Sequence, residues 1–147
     1  MPWQKVYKMK KIIFILVTFF AVVNCLAQSD SATFKGYLEN KEYSIYIRMN
    51  FYDNNVTIPG QEIYGQMPGY IGDMKDGRKW LIVEAKPGKN RAELAISNDD
   101  GYEDLTAELY RNNDGTYTLK QKEGSDLKFA RNRKWMKIPK SVIFIRK

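Results

Sequence analysis

The chain has 147 residues with 24 Lys and Arg, 17 Asp and Glu, a single cysteine and no histidine, for a formal charge of +7 at neutral pH. With no histidine, and with Cys25 placed inside an apolar leader, the remainder excludes disulfide staples, Cys or His nucleophiles and the usual zinc and copper ligand sets. The charge is also uneven. Residues 128–147 carry eight basic side chains and no acid, whereas residues 28–127 hold twelve basic against seventeen acidic, a net of −5.

The leader covers residues 9–28 (MKKIIFILVTFFAVVNCLAQ). A cationic start at Lys10 and Lys11, an apolar run over 12–23 broken only by Thr18, and a small-residue exit are the layout of a secretory signal peptide. A membrane-spanning helix needs about 20 apolar residues, so this run is too short for one. Met9 with its two lysines has the form of a natural start, which would make residues 1–8 a mis-assigned upstream extension. Cleavage after Ala27 leaves 120 residues, a single β domain spanning 28–147. The competing expectation uses Cys25. Val22, Val23, Asn24 and Cys25 resemble a bacterial lipobox, in which the cysteine is lipidated, although Asn24 departs from the small residue usual before it. The protein is thus expected to be exported to the periplasm or the exterior, with lipid anchoring through Cys25 as the alternative.

Past the leader, 28–32 is polar and small, and its triplet Asp30, Ser31, Ala32 resembles a short O-glycan attachment pattern of exported bacterial proteins. Residues 33–38 alternate as a first strand, with Phe34, Gly36 and Leu38 on one face and Lys35 and Tyr37 on the other. The clearest strand follows: Tyr43, Ile45, Ile47, Met49 and Phe51 form one face, Ser44, Tyr46, Arg48, Asn50 and Tyr52 the other. A turn at 53–55 reverses the chain into 56–58, Pro59 and Gly60 kink it, and 61–67 resumes. The glycines at 69, 72 and 77 predict a long mobile connection over 68–78, either a binding tip or a loop folded over the core.

Residues 79–85 (KWLIVEA) read as a strand covered on both faces, paired through a turn at 87–90 with an alternating strand over 91–97. Residues 102–110 fit both periods, and the hairpin turn RNNDG at 111–115 decides for strand, leading into 116–121. Leu127, Phe129 and Arg131 and then Trp135 to Pro139 precede a last strand over 142–145. Eight to nine short strands with tight turns and no convincing helix predict an all-β fold, a small antiparallel meander barrel or a sandwich.

The series Phe34-x-Gly36, Ile47-x-Met49-x-Phe51, Tyr64-Gly65, Trp80 to Glu84 and a closing strand ending in Arg146 resembles small exported bacterial meander barrels of lipocalin-like shape. That resemblance implies a barrel binding a small apolar ligand or a partner protein, and it carries no catalytic residues.

Two binding regions stand out. The polar face Tyr46, Arg48 and Tyr52 sets aromatics around an arginine, a composition enriched in interface hot spots, or else the polar lining of a ligand cavity if that face points into a barrel. The basic segment 128–140 interleaves Phe129, Trp135 and Met136 with Lys128, Arg131, Arg133, Lys134, Lys137 and Lys140. In an exported protein such a segment suits an anionic membrane surface or an acidic protein, and nucleic acid is not expected. A solvated hairpin around a core tryptophan is the plainer alternative. For catalysis only carboxylates remain, and Glu84, at the end of a buried-looking run, is the candidate general acid of a hydrolase. The acidic turn Asp99, Asp100, Glu103 and Asp104 lacks the spacing of a calcium loop. No cofactor or metal is expected. Altogether the sequence points to a non-enzymatic binding protein of the cell envelope, with an enzyme-blocking inhibitor acting through 68–78, or a carboxylate hydrolase, as alternatives.

Overall fold

The computed structural model describes residues 32–147. The leader, Cys25, and Asp30 and Ser31 of the glycan-like triplet lie outside the described residues. In the unit Thr33–Lys147, eight strands close into an antiparallel barrel. They are β1 (Lys35–Asn40), β2 (Ile45–Asn50), β5 (Gly69–Asp73), β6 (Lys79–Pro87), β7 (Arg91–Asn98), β8 (Asp104–Arg111), β9 (Tyr117–Gly124) and β12 (Ser141–Arg146), with β12 returning to β1. Two short hairpins leave this meander: β3 (Val56–Thr57) with β4 (Gln66–Met67), and β10 (Lys128–Arg131) with β11 (Lys134–Lys137). Among the described residues no helix is long and apolar enough to cross a membrane.

Alternation fixes which face fills the barrel. Ile45, Ile47 and Met49 of β2, Leu94 and Ile96 of β7, Leu105 and Leu109 of β8 and Phe144 of β12 all join one buried cluster. Ala92 and Ala107 stand among these large residues, the mixture of small and large side chains that fills a small barrel. On β6 only 80–82 are covered on both faces: Trp80 and Ile82 point inward, and Leu81 joins a second, outer cluster. A bulge between Ile82 and Glu84 then turns Val83 and Glu84 to solvent.

The first half of the expected mobile connection over 68–78 is instead a barrel strand, β5, and 74–78 remains a connection. Every residue of β5 is buried, between β2 and β6. Its glycines serve close packing: a Cβ on Gly72 would lie 2.3 Å from the Tyr46 ring, which covers that position from the neighbouring strand. The excursion over 51–68 folds across the outside, where Val56, Ile58 and Met67 cover Tyr70 and Leu81. Its expected second strand is mostly replaced by a 3-10 turn, Glu62–Tyr64, before the two residues of β4.

Both barrel ends are plugged. At one end Phe34 stacks on Phe51 at 5.8 Å between ring centres and meets Tyr117 edge-on at 6.3 Å. At the other, the β10–β11 hairpin contributes Leu127, Phe129 and Ile138 to the interior cluster, with Met136 packed against it. Gln121, pointing inward from β9, donates to the carbonyls of Ile138 and Pro139 and accepts from the Leu127 amide, so one buried amide ties down both ends of the hairpin excursion.

Candidate binding surfaces

The polar face of β2 points outward, because its neighbours Ile45, Ile47 and Met49 fill the interior. Tyr46 and Arg48 therefore do not line an internal cavity. Tyr46 stacks on Tyr37 at 5.4 Å and meets the buried Tyr70 edge-on at 5.8 Å, while the Arg48 guanidinium lies 4.9 Å from the Tyr37 ring centre. Register explains the group, since Tyr37 pairs with Arg48 and Arg48 with Tyr70 across three adjacent strands. Burial, followed by the hydrogen bond with Tyr70, pushes the Tyr46 hydroxyl up to about 12. Tyr37 is raised too, first by burial and then by its bond to Glu39.

Glu39, the acid of this face, is already engaged: Tyr37 donates to it at 3.2 Å and Lys147 pairs with it at 3.2 Å. Arg48 is exposed and makes no ion pair among the described residues. On the far side of β1, β12 presents Ile143 and Ile145, which are 56% and 62% exposed, Ile145 in register with Glu39. Tyr52 belongs elsewhere. It lies beyond the end of β2, its hydroxyl accepts the Phe34 amide at 3.1 Å, and its ring packs against the interior cluster. The sequence placed it two steps along a strand that in fact ends at Asn50.

Half of the charge of the basic segment is neutralised. Arg131 forks onto the fully buried carboxylate of Asp73 and also donates to the carbonyls of Tyr43 and Ala130, so it is a structural clamp between the hairpin and the barrel. Lys128 pairs with Glu103 at 2.8 Å, and Lys137 and Lys140 share Asp126 at 3.2 and 2.7 Å. That pair of lysines holds the Asp126 carboxyl below the usual range, Lys140 foremost through its hydrogen bond. Arg133 and Lys134 alone remain without a carboxylate partner among the described residues. Arg133 and Asn132 form the two-residue turn, with φ of 65° and 51°. Because Lys137 and Lys140 share one carboxylate, the six cations of the segment meet three acids and keep a net charge of +3, an attraction of about 3 kcal/mol to an anionic bilayer at about 1 kcal/mol for each basic residue.

Trp135 is not a core residue. It is 58% exposed, whereas the buried tryptophan of this end is Trp80, whose indole N–H donates to the Lys128 carbonyl at 2.9 Å. Trp135 stands over a cleft of about 380 Å³ shared with Arg78, Asn98, Asp99, Asp100, Glu103 and Lys128, among others. Arg78 and Lys128 both lie 5.2 Å from its ring centre. Tyr102, in the same loop as Asp99 and Asp100, is 91% exposed. Nothing in the sequence pointed to Arg78 in this role, because the cleft joins three connections distant in the chain.

Glu84 lacks the burial a general acid would need: its side chain is 64% exposed and lies 3.9 Å from Lys86. Among the described residues no group of three or more acidic side chains converges as a metal site. Comparisons with protein families, with curated proteins and with solved structures gave no match.

Proposed function

We propose that this chain is an exported, non-enzymatic binding protein of the bacterial cell envelope that engages an acidic protein surface through the outer face of β1, β2 and β12. The observation that carries this is Arg48: an exposed guanidinium held against Tyr37, with no carboxylate partner among the described residues and with the nearby Glu39 already neutralised. A partner carboxylate would meet a preoriented donor, and Ile143 and Ile145 would add apolar contact. The filled interior and plugged ends favour an external site over a ligand held inside. Kinship with lipocalin-like exported barrels is part of the same proposal, supported by the eight-strand meander.

One observation favours the inhibitor alternative as well, though through a different loop. In the turn Glu62–Tyr64, Ile63 is 92% exposed and Tyr64 49%, a protruding tip between two positive-φ glycines, Gly60 and Gly65. Only 74–78 remains as a connection in the segment first expected to protrude.

Capture of partners from envelope extract by the wild-type protein, Arg48→Ala and Ile63→Asp separates these. Loss of a partner with Arg48→Ala, and its weakening by added salt, is the expected result. Partners lost only with Ile63→Asp point to the tip, and a list unchanged by Arg48→Ala overturns the strand-face proposal.

A further inference from the structure

We infer that the cleft under Trp135 is a binding site for a neutral carbohydrate, separate from the strand face around Arg48. A pyranose ring presents an apolar C–H face and a rim of hydroxyls, and it needs an aromatic platform flanked by planar hydrogen-bonding groups. The cleft has both. Trp135 offers a largely exposed indole, and Asn98, Asp99 and Asp100 line the same space. Tyr102, on the loop that carries those acids, is a second exposed ring near them in the chain, outside the lining of the cleft. A volume of about 380 Å³ lies within the range of about 300–1,000 Å³ of small-ligand sites.

Charge selects a neutral ligand. The three cations of the cleft, Arg78, Lys79 and Lys128, face three carboxylates, Asp99, Asp100 and Glu103, so neither sign of ligand meets a uniform field. A cationic ligand would have to displace Arg78 and Lys128, which already lie against the indole. An anionic one would be opposed by Asp99 and Asp100, which make no ion pair among the described residues.

Arg78 also makes the platform available. An exposed cation–π contact is worth only about 0.5–1 kcal/mol, so its guanidinium can leave the ring and turn to a ligand hydroxyl. Lys128 stays, because Glu103 holds its ammonium at 2.8 Å. That ion pair and the Trp80 indole, bonded to the Lys128 carbonyl, hold Lys128 in place.

The test is a glycan array bearing neutral oligosaccharides beside sulfated and uronate glycans, probed with the wild-type protein, Trp135→Ala, the pair Asp99→Asn with Asp100→Asn, and Arg48→Ala. The expected result is binding to at least one neutral glycan, reduced at least about tenfold by Trp135→Ala and by the double Asp variant and unaffected by Arg48→Ala. Circular dichroism of each variant confirms that the barrel is intact, and the double Asp variant tests the site even if Trp135→Ala disturbs the hairpin. Binding to none of the neutral glycans, binding confined to the anionic ones, or neutral-glycan binding indifferent to both site variants overturns the inference.

Discussion

The hairpin end of the barrel closes around a buried charge, and the opposite end closes around neutral acceptors. At the hairpin end Arg131 meets the Asp73 carboxylate, whose side chain has no solvent exposure. At the other end Arg146 donates to the carbonyls of Thr33 and Lys35 and to the Tyr117 hydroxyl, which itself donates to Thr33 at 2.6 Å. Arg146 reaches these groups by passing over Gly36, where a Cβ would lie 2.5 Å from its Nη1. The two arginines do the same mechanical work, fastening a peripheral segment to the strand ends. They differ in what is left behind when the fastening is removed: in one case a buried anion with no counter-ion, held among the described residues only by the Lys75 amide, in the other a Thr33 carbonyl that keeps the Tyr117 hydroxyl. The ionic clasp also frees the rest of the hairpin. With Arg131 holding it in place, Trp135 and the turn residues are left to solvent, and it is this end that carries the cleft.

The largest expected effect follows from that asymmetry. Arg131→Ala strands Asp73 and should cost about 3–5 kcal/mol, measured as a fall in the urea midpoint at unchanged slope. Replacing both partners, Arg131→Met with Asp73→Leu, should recover much of the loss. Tyr117→Phe, at the opposite end, should cost about 1 kcal/mol, because Arg146 continues to donate to the Thr33 carbonyl. Equal losses at the two ends would break the comparison.

The outer face of β2, on neither end, supplies the smallest effect and a different readout. The Tyr46 hydroxyl ionises near 10 in an unfolded chain and is pushed up to about 12 in the folded one, chiefly by burial. Folding thus favours the neutral phenol. Its contribution is complete below about pH 10 and is lost as pH rises from there through about 12. Stability measured across this window should decline less steeply in Tyr46→Phe than in the wild type. An identical decline would mean that Tyr46 ionises as freely in the fold as out of it.

Much of the barrel was legible because one buried face imposes period 2. The face Ile45, Ile47, Met49 and Phe51, the strands over 91–97 and 102–110 and the turn at 111–115 all follow from it. The failures share a cause as well. In β5 two glycines and a charge removed the apolar pattern, yet Gly72 is small because the Tyr46 ring lies over it and Asp73 is charged because Arg131 meets it. Both reasons reside in other strands. Likewise Trp80 and Trp135 sit in similar apolar and basic surroundings along the chain, and only the packing of the hairpin on the barrel end buries one and exposes the other.

By itself the sequence determined the all-β class, the inward faces of most strands, and the absence of histidine and of any thiol beyond Cys25. These are properties of composition and local alternation, which need no partner. Only the tertiary structure decided that the Tyr46 and Arg48 face points outward, that Tyr52 leaves it, and that four of the six cations in 128–140 are matched by carboxylates. Each of those depends on which distant strands become neighbours when the barrel closes, and cross-strand register is not written in the period of any single strand.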